Sequence, residues 1–484
     1  MAGLGSAAAR GATVTMAGQV GRIGIHVVSL VVLSRLLAPS DFGLVAMVVA
    51  VVGIGEVLRD FGLSHAAIQA PKLTRPQRDN LFWANTAFGL VMALVAAAIA
   101  PLLAQLYSDD RVSTIAIVLS LTFVINGLAA QYRADLNRSM RFVALMVLEL
   151  TASALGVAVA IVGALAGFGY WALVAQLVTV PTAALLISAA LCRWIPRLPQ
   201  RHVGTKHYLT FGTNLVGTQL LAYVTQNVDR VVIGASFGST ATGLYNRGFE
   251  LLMAPLRQVQ APSTRVALPV LSRLQSEPER FNAFLLRGQV VLLGLISALF
   301  ALAAAQAEPL VIWSLGPQWP EVVPIFQILC LAGLGQAAHY ATYWAFLAKG
   351  LTKSMLRYAL VARPLGAVII ASGALFGVHG VAAAFSISTI TTWLIGLWWV
   401  GRASPDLPVR HMLMNALRII SVYMVCGAAS WWASQAHGEP VSVAAVAIGT
   451  AAFLGGVAVF ALIWPAFRRD LLQLLSFPKL LRSR

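Results

Sequence analysis

The chain has 484 residues, of which 59% are apolar and 11% charged, with a mean hydropathy of +0.80. A soluble domain carries about 25% charged residues, so soluble classes are excluded, and near-continuous apolar stretches such as 91–103 and 441–463 exclude the strict alternation of a membrane β-barrel. The net charge of +17 is read as membrane topology, not as a nucleic-acid footprint.

Apolar runs of about 20 residues cross a hydrocarbon core. Cutting the chain at charge and Pro/Gly clusters predicts about fourteen transmembrane helices, at 12–37, 42–66, 80–106, 112–131, 142–166, 171–192, 209–235, 241–266, 284–311, 322–347, 355–376, 380–400, 413–436 and 441–464. The first carries Arg22 and His26 and follows a small-residue stretch. It is expected to be a retained span, not a cleaved signal. Connections on one side hold Lys72, Arg75 and Arg78; Arg133, Arg138 and Arg141; Arg193, Arg197, Arg201 and Lys206; and further pairs to Arg410, whereas the other side holds only Arg111 among several acids. The positive-inside rule then puts both termini in the cytoplasm.

The basic connection RWIPRLPQRHVGTKH after the sixth span reads as a linker, 193–208, between an N-lobe at 1–192 and a C-lobe at 209–400, with two extra spans at 413–464. A shift of 200 residues superimposes Thr13/Thr213, Gln19/Gln219, Val28/Val228, Val31/Val231, Val32/Val232, Gly43/Gly243 and Leu44/Leu244 in one ungapped register. That is the pattern of a parallel transporter repeat. The tail, 465–484, is amphipathic and basic and is expected to lie on the anionic cytoplasmic leaflet. Cys192, Cys330 and Cys426 have no metal or redox spacing and read as small apolar fillers.

Ionised groups inside spans are costly, so they face a wet cavity or a partner. The candidates are Arg22, Glu56, Arg59, Asp60, Glu149, Asp229, Arg230, Arg247, Glu250, Arg257 and Arg363, concentrated in spans 1, 2, 7 and 8. Local pairing offers a structural alternative for Glu56 and Asp60 beside Arg59, and for Arg247 with Glu250. Arg22 has no carboxylate within a turn. His26 and His339 are either hydrogen-bonded interior groups or proton carriers. Polar residues recur along span 7, including Gln219 and Asn227, as on a cavity wall. There is no phosphate loop, zinc motif or nucleophile elbow, and no metal or cofactor is called for. The chain reads as a secondary transporter without enzymatic chemistry.

Particular stretches carry a resemblance: SRLLAPSDFGLVAMVVAVVGIGEVLRDFGLSHAAIQ at 34–69, NVDRVVIG at 227–234, GLYNRG at 243–248, LPVLSRLQ at 268–275 and LGPQW at 315–319. The chain resembles the polysaccharide-transport branch of the MOP flippase superfamily, the Wzx-type exporters, over roughly 10–400. The resemblance implies two six-helix lobes around a cavity, as in multidrug-extrusion (MATE) transporters, and alternating access. The implied substrate is an undecaprenyl-diphosphate-linked oligosaccharide, flipped across the bacterial inner membrane for exopolysaccharide or lipopolysaccharide synthesis. Polymerase and export machinery are the implied protein partners, alongside membrane lipid, with no nucleic acid. It also implies that Arg22, Arg59, Arg247 and Arg257 meet the diphosphate. Gln19, Gln219 and Asn227 would then hold the glycan, and Asp60, Asp229, Glu250, Glu149, His26 and His339 would balance charge or couple an ion. The competing reading is a MATE-type multidrug antiporter, whose cation site would be dominated by carboxylates.

Overall fold

The computed structural model describes residues 2–60, 74–200 and 206–482. Every regular element among them is helical: α1 Ala2–Leu36, α2 Pro39–Asp60, α3 Arg75–Tyr107, α4 Asp110–Arg138, α5 Phe142–Leu165, α6 Tyr170–Cys192, α7 Lys206–Arg273, α8 Pro278–Ala305, α9 Ala307–Leu315, α10 Val322–Ala348, α11 Thr352–Ser372, α12 Gly377–Ala403, α13 Val409–Gln435, α14 Val443–Ile463 and α15 Pro465–Arg482. Eleven stretches among the described residues are long and apolar enough to cross a membrane, one of them comprising α11 and α12 together. The protein is an all-α polytopic membrane protein.

Helix ends follow local chemistry. Thr74 and Gln77 form a reciprocal capping box at the start of α3, Asp109 caps α4 and Ser442 caps α14. The break expected between 235 and 241 is a single residue: α7 runs through 68 residues with non-helical backbone only at Gly238 (φ 78°, ψ −169°), a region open essentially to glycine. The ninth predicted span divides at Gln306 into α8 and the nine-residue α9.

Two compact units emerge, Met1–Gly243 and Leu244–Arg484. In the first, α3 packs along α4, α5 along α6, α4 along α6, and α1 along α5, with α2 against α3, α4 and α6. With no water to expel between apolar helices, close approach of small residues does the packing. A Cβ on Gly89 would lie 2.5 Å from the Phe123 carbonyl oxygen, and one on Gly127 2.7 Å from that of Asn85. The opposite face of α3 presents Leu90, Val91, Leu94, Val95, Ile99, Leu102 and Leu106 outward, as a lipid-facing surface requires. In the second unit α10 packs on α12 and α8, α11 on α12, α13 on α14 and α8, and α15 on α8 and α14. The amphipathic tail is held there by Phe467, buried edge-on to Tyr423, and by an Arg418–Asp470 ion pair of 2.7 Å.

Within the first unit, α2 crosses the part of α7 that follows the Gly238 break. A Cβ on Gly43 would sit 1.6 Å from the Ser239 carbonyl oxygen, and one on Gly243 1.9 Å from the Pro39 carbonyl oxygen. Residues 39 and 43 correspond to 239 and 243 in the register shifted by 200. Residue i meeting j′ while j meets i′ is the self-complementary pattern of a two-fold contact.

Candidate functional site: a charged cavity in the first unit

In the first unit, α1, α2, α4, α5 and α6 line an open cavity of about 490 Å³. Its polar lining consists of Arg22, Glu56, Thr122, Asn126, Arg133, Glu149, Ser153 and Gln176, set among residues such as Val49, Leu119 and Val180. Four of these are formally charged, two of each sign.

Small residues bring the first of these groups together. Gly18 and Gly21 on α1 leave room for Met146 and Leu150 of α5, since a Cβ on either glycine would lie under 3.0 Å from those side chains. The two helices therefore approach closely, and Arg22 reaches Glu149. Its Nη1 donates to Glu149 Oε2 at 2.8 Å, and its Nη2 donates to Gln19 Oε1 at 2.7 Å, one turn earlier on the same helix. Arg133 of α4 approaches the other carboxylate oxygen of Glu149 at 3.6 Å. One carboxylate is thus shared by two guanidinium groups from different helices.

The arginines keep 42% and 46% of their side-chain surface accessible and Glu149 keeps 31%. The cluster is partly accessible, so its charges are open to a ligand. Across the cavity Asn126 Nδ2 donates to Glu56 Oε1 at 2.9 Å, and Gln176 Nε2 donates to Ser29 Oγ at 3.3 Å. Asn126 and Arg133 are seven residues apart on α4 and share a face.

Of the residues singled out in the sequence, Arg22, Glu149 and Gln19 therefore form one hydrogen-bonded group. Asn227 and Asp229 are also in the first unit but lie on α7 and do not line this cavity. Asn227 donates to the Tyr223 carbonyl and accepts from Arg230 Nη1 at 2.7 Å, while Asp229 is buried and accepts from the Arg230 backbone N–H. In the second unit Arg247 and Glu250 form the expected local pair, at 2.6 Å. Arg257 is exposed on the same helix, without an ion-pair partner among the described residues. His339 stacks on Tyr358 with ring centres 6.0 Å apart, and His26 is exposed on α1. The side chains of Arg59, Asp60 and Gln219 lie outside the described residues.

Arg133, Asn126 and Gln176 were missing from the sequence-based site. Arg133 was assigned to a connection because the fourth span was expected to stop at 131, whereas α4 runs to Arg138 and carries it into the cavity wall. The signal available was Asn126, a polar residue deep in an apolar run.

Residues 32–324, more than half of the chain, match the family model described as "Polysaccharide biosynthesis protein". The lipopolysaccharide biosynthesis protein WzxC of Escherichia coli (strain K12) is 24% identical over 64% of this chain and 64% of its own length. The succinoglycan biosynthesis transport protein ExoT of Rhizobium meliloti (strain 1021) is 26% identical over 70% and 72%. The chain thus spans just under two thirds of the length of WzxC. In three dimensions it matches the lipid II flippase MurJ in its inward closed conformation with a TM-score of 0.69, at 13% identity over 96% of this chain and 99% of that one. An inward-facing MATE family multidrug transporter of the MOP superfamily matches with a TM-score of 0.58, at 15% identity over 79% and 94%. At those identities the structural likeness speaks for the fold, and it is the MOP fold that the sequence motifs implied. From the match over 32–324, the chain belongs to the polysaccharide biosynthesis protein family.

Proposed function

We propose that the protein is a flippase of the bacterial inner membrane, moving undecaprenyl-diphosphate-linked oligosaccharide repeat units from the cytoplasmic to the outer leaflet by alternating access between two six-helix lobes. The single observation that carries this reading is the cavity of the first unit, where two half-exposed arginines share one carboxylate inside a membrane-embedded bundle. The family and the names of the relatives, a lipopolysaccharide biosynthesis protein and a succinoglycan transport protein, support the substrate class.

In this reading the diphosphate displaces Glu149 from Arg22 and Arg133. Guanidinium groups suit that task because their planar fork binds phosphate oxygens in pairs. Gln19, Asn126 and Gln176 offer hydrogen bonds to sugar hydroxyls, and the prenyl chain stays in lipid. Glu149 returns to the arginines when the substrate leaves, so the empty cavity is never a bare cationic trap. Arg59, Arg247 and Arg257, with Gln219 and Asn227, form a further set of contacts for the same substrate. Asp60, Asp229, Glu250, His26 and His339 are the groups that balance charge or couple an ion. Both termini face the cytoplasm, and polysaccharide polymerase and export machinery are the protein partners.

The test uses proteoliposomes containing a short-chain polyprenyl-diphosphate oligosaccharide, with access of inner-leaflet sugar to an external glycosidase as the readout. Protein-dependent exposure that disappears in Arg22→Ala, with the variant still folded, is expected. Absence of exposure together with efflux of a cationic dye would replace the flippase by a multidrug antiporter.

A further inference from the structure

The segment after α6, expected to be a linker, is bound along its first half to the first unit. Residues 193–200 run without regular structure beside the start of α3. Asn80 clamps the far end, donating to the Gln200 carbonyl at 2.7 Å and accepting from the Gln200 N–H at 2.8 Å. The Trp83 indole N–H donates to the Arg197 carbonyl at 2.9 Å. Trp194 turns inward, 7% exposed, against Phe82 and Tyr132, with the Arg78 guanidinium 4.2 Å from its ring centre. Pro196 and Pro199 stiffen what lies between.

This strap holds two large apolar side chains outward: Ile195 is 81% exposed and Leu198 79%. Arg193 and Arg197 alternate with them, both exposed and neither paired with a carboxylate among the described residues. The nearby Asp135 is engaged by Arg78 at 3.0 Å, and residues 193–208 contain no acid. Depth decides the occupant. The strap is bonded to positions 80 and 83 of α3, where that helix passes from Arg75, Arg78 and Asp79 into the apolar run beginning at Leu81. The strap therefore lies at the boundary between headgroups and acyl chains, the level at which Trp side chains such as Trp83 also gather.

We propose that the strap 193–200 is a lipid-binding anchor for the anionic leaflet, with Ile195 and Leu198 entering the acyl boundary and Arg193 and Arg197 holding the phosphates of acidic phospholipids. Apolar insertion and basic charge act together here, as they do in peripheral membrane anchors. The site is separate from the charged cavity and does not depend on which substrate that cavity carries.

The experiment places a photo-crosslinking amino acid at position 195 or 198 of the full-length protein, in nanodiscs of equimolar phosphatidylcholine and phosphatidylglycerol and, in parallel, in native membranes. Adducts are identified by mass. The expected result is a lipid adduct at both positions with phosphatidylglycerol favoured, on the order of fivefold for each arginine. The double variant R193Q/R197Q should return that ratio to the bulk mixture while lipid adducts persist. These side chains point outward, so intact Trp194 packing, read as an unchanged melting temperature, separates the effect from misfolding. No lipid adduct, an adduct to a protein in native membranes, or an unchanged headgroup preference in R193Q/R197Q would overturn the proposal.

Discussion

Replacing Glu149 by Gln separates the role of the carboxylate as a competitor from any role in folding. Glu149 makes one contact of 2.8 Å to Arg22 and one of 3.6 Å to Arg133, with all three side chains between 31% and 46% accessible. Ion pairs with that much solvent contribute about 0.2–1 kcal/mol each, so the two together hold the arginines with roughly 0.4–2 kcal/mol. On the proposed reading, an incoming diphosphate would have to overcome that hold. Glu149→Gln should therefore lower the half-saturating concentration of lipid-linked substrate by about two- to thirtyfold, while stability falls by no more than roughly 2 kcal/mol. Because release is opposed by the same amount, the maximal rate of sugar exposure should drop. Measuring sugar exposure against substrate density in proteoliposomes checks both quantities. A folded Glu149→Gln protein with unchanged or raised half-saturation would refute the competition, and with it the assignment of Arg22 and Arg133 to the diphosphate.

Further perturbations test the scaffold. Gly43→Ala puts a methyl group 1.6 Å from the Ser239 carbonyl oxygen, so α2 and α7 must part. A cost of about 1–3 kcal/mol should appear as a lower melting temperature, with Gly24→Ala, where a Cβ meets nothing within 4 Å, as the neutral control. Gly238→Ala forces a side chain into φ 78°, ψ −169° and should also destabilise by about 1–3 kcal/mol. In the loop after α12, hydrogen bonds from Lys349 and then Ser404 hold the Asp406 carboxyl below its ordinary 3.8. That stabilisation is fully present above the ordinary value and is lost as pH falls through the depressed one. Asp406→Asn should cost about 0.5 kcal/mol at neutral pH after solvent screening. Melting curves of the variant and the parent should approach each other only as pH falls below 3.8, the ordinary value, and merge once it is below the depressed one.

Most of the helical layout was legible because a membrane span is a long, one-dimensional signal. The break at Gly238 fell between the predicted ends 235 and 241, and α14 matches its span to within two residues at each end. The misses have physical causes. Hydropathy marks where a helix leaves lipid and not where it ends, so α4 continued past 131 and α1 began well before residue 12. The candidate site was legible in its residue types and not in its pairings. Arg22 finds its carboxylate 127 positions away, a distance no helical periodicity can encode. The local pair Arg247–Glu250 was predictable from spacing alone. The strap is the reverse case: its prolines and arginines read as a loose connection, while the hydrogen bonds that fix it come from Asn80 and Trp83, more than a hundred residues earlier.

Among the described residues that line the cavity, the formal charges of Arg22 and Arg133 against Glu56 and Glu149 cancel as 2 − 2 = 0. On the proposed reading, a chamber that is electrically silent when empty contributes no net charge of its own as it resets, and any voltage dependence of the return belongs to a coupled ion. On the proposed flippase reading the loaded passage differs, because a diphosphate would bring uncompensated negative charge. An interior-negative potential favours its outward movement by about 2.3 kcal/mol per charge for each 100 mV. Collapsing the voltage should then slow the loaded half of the cycle.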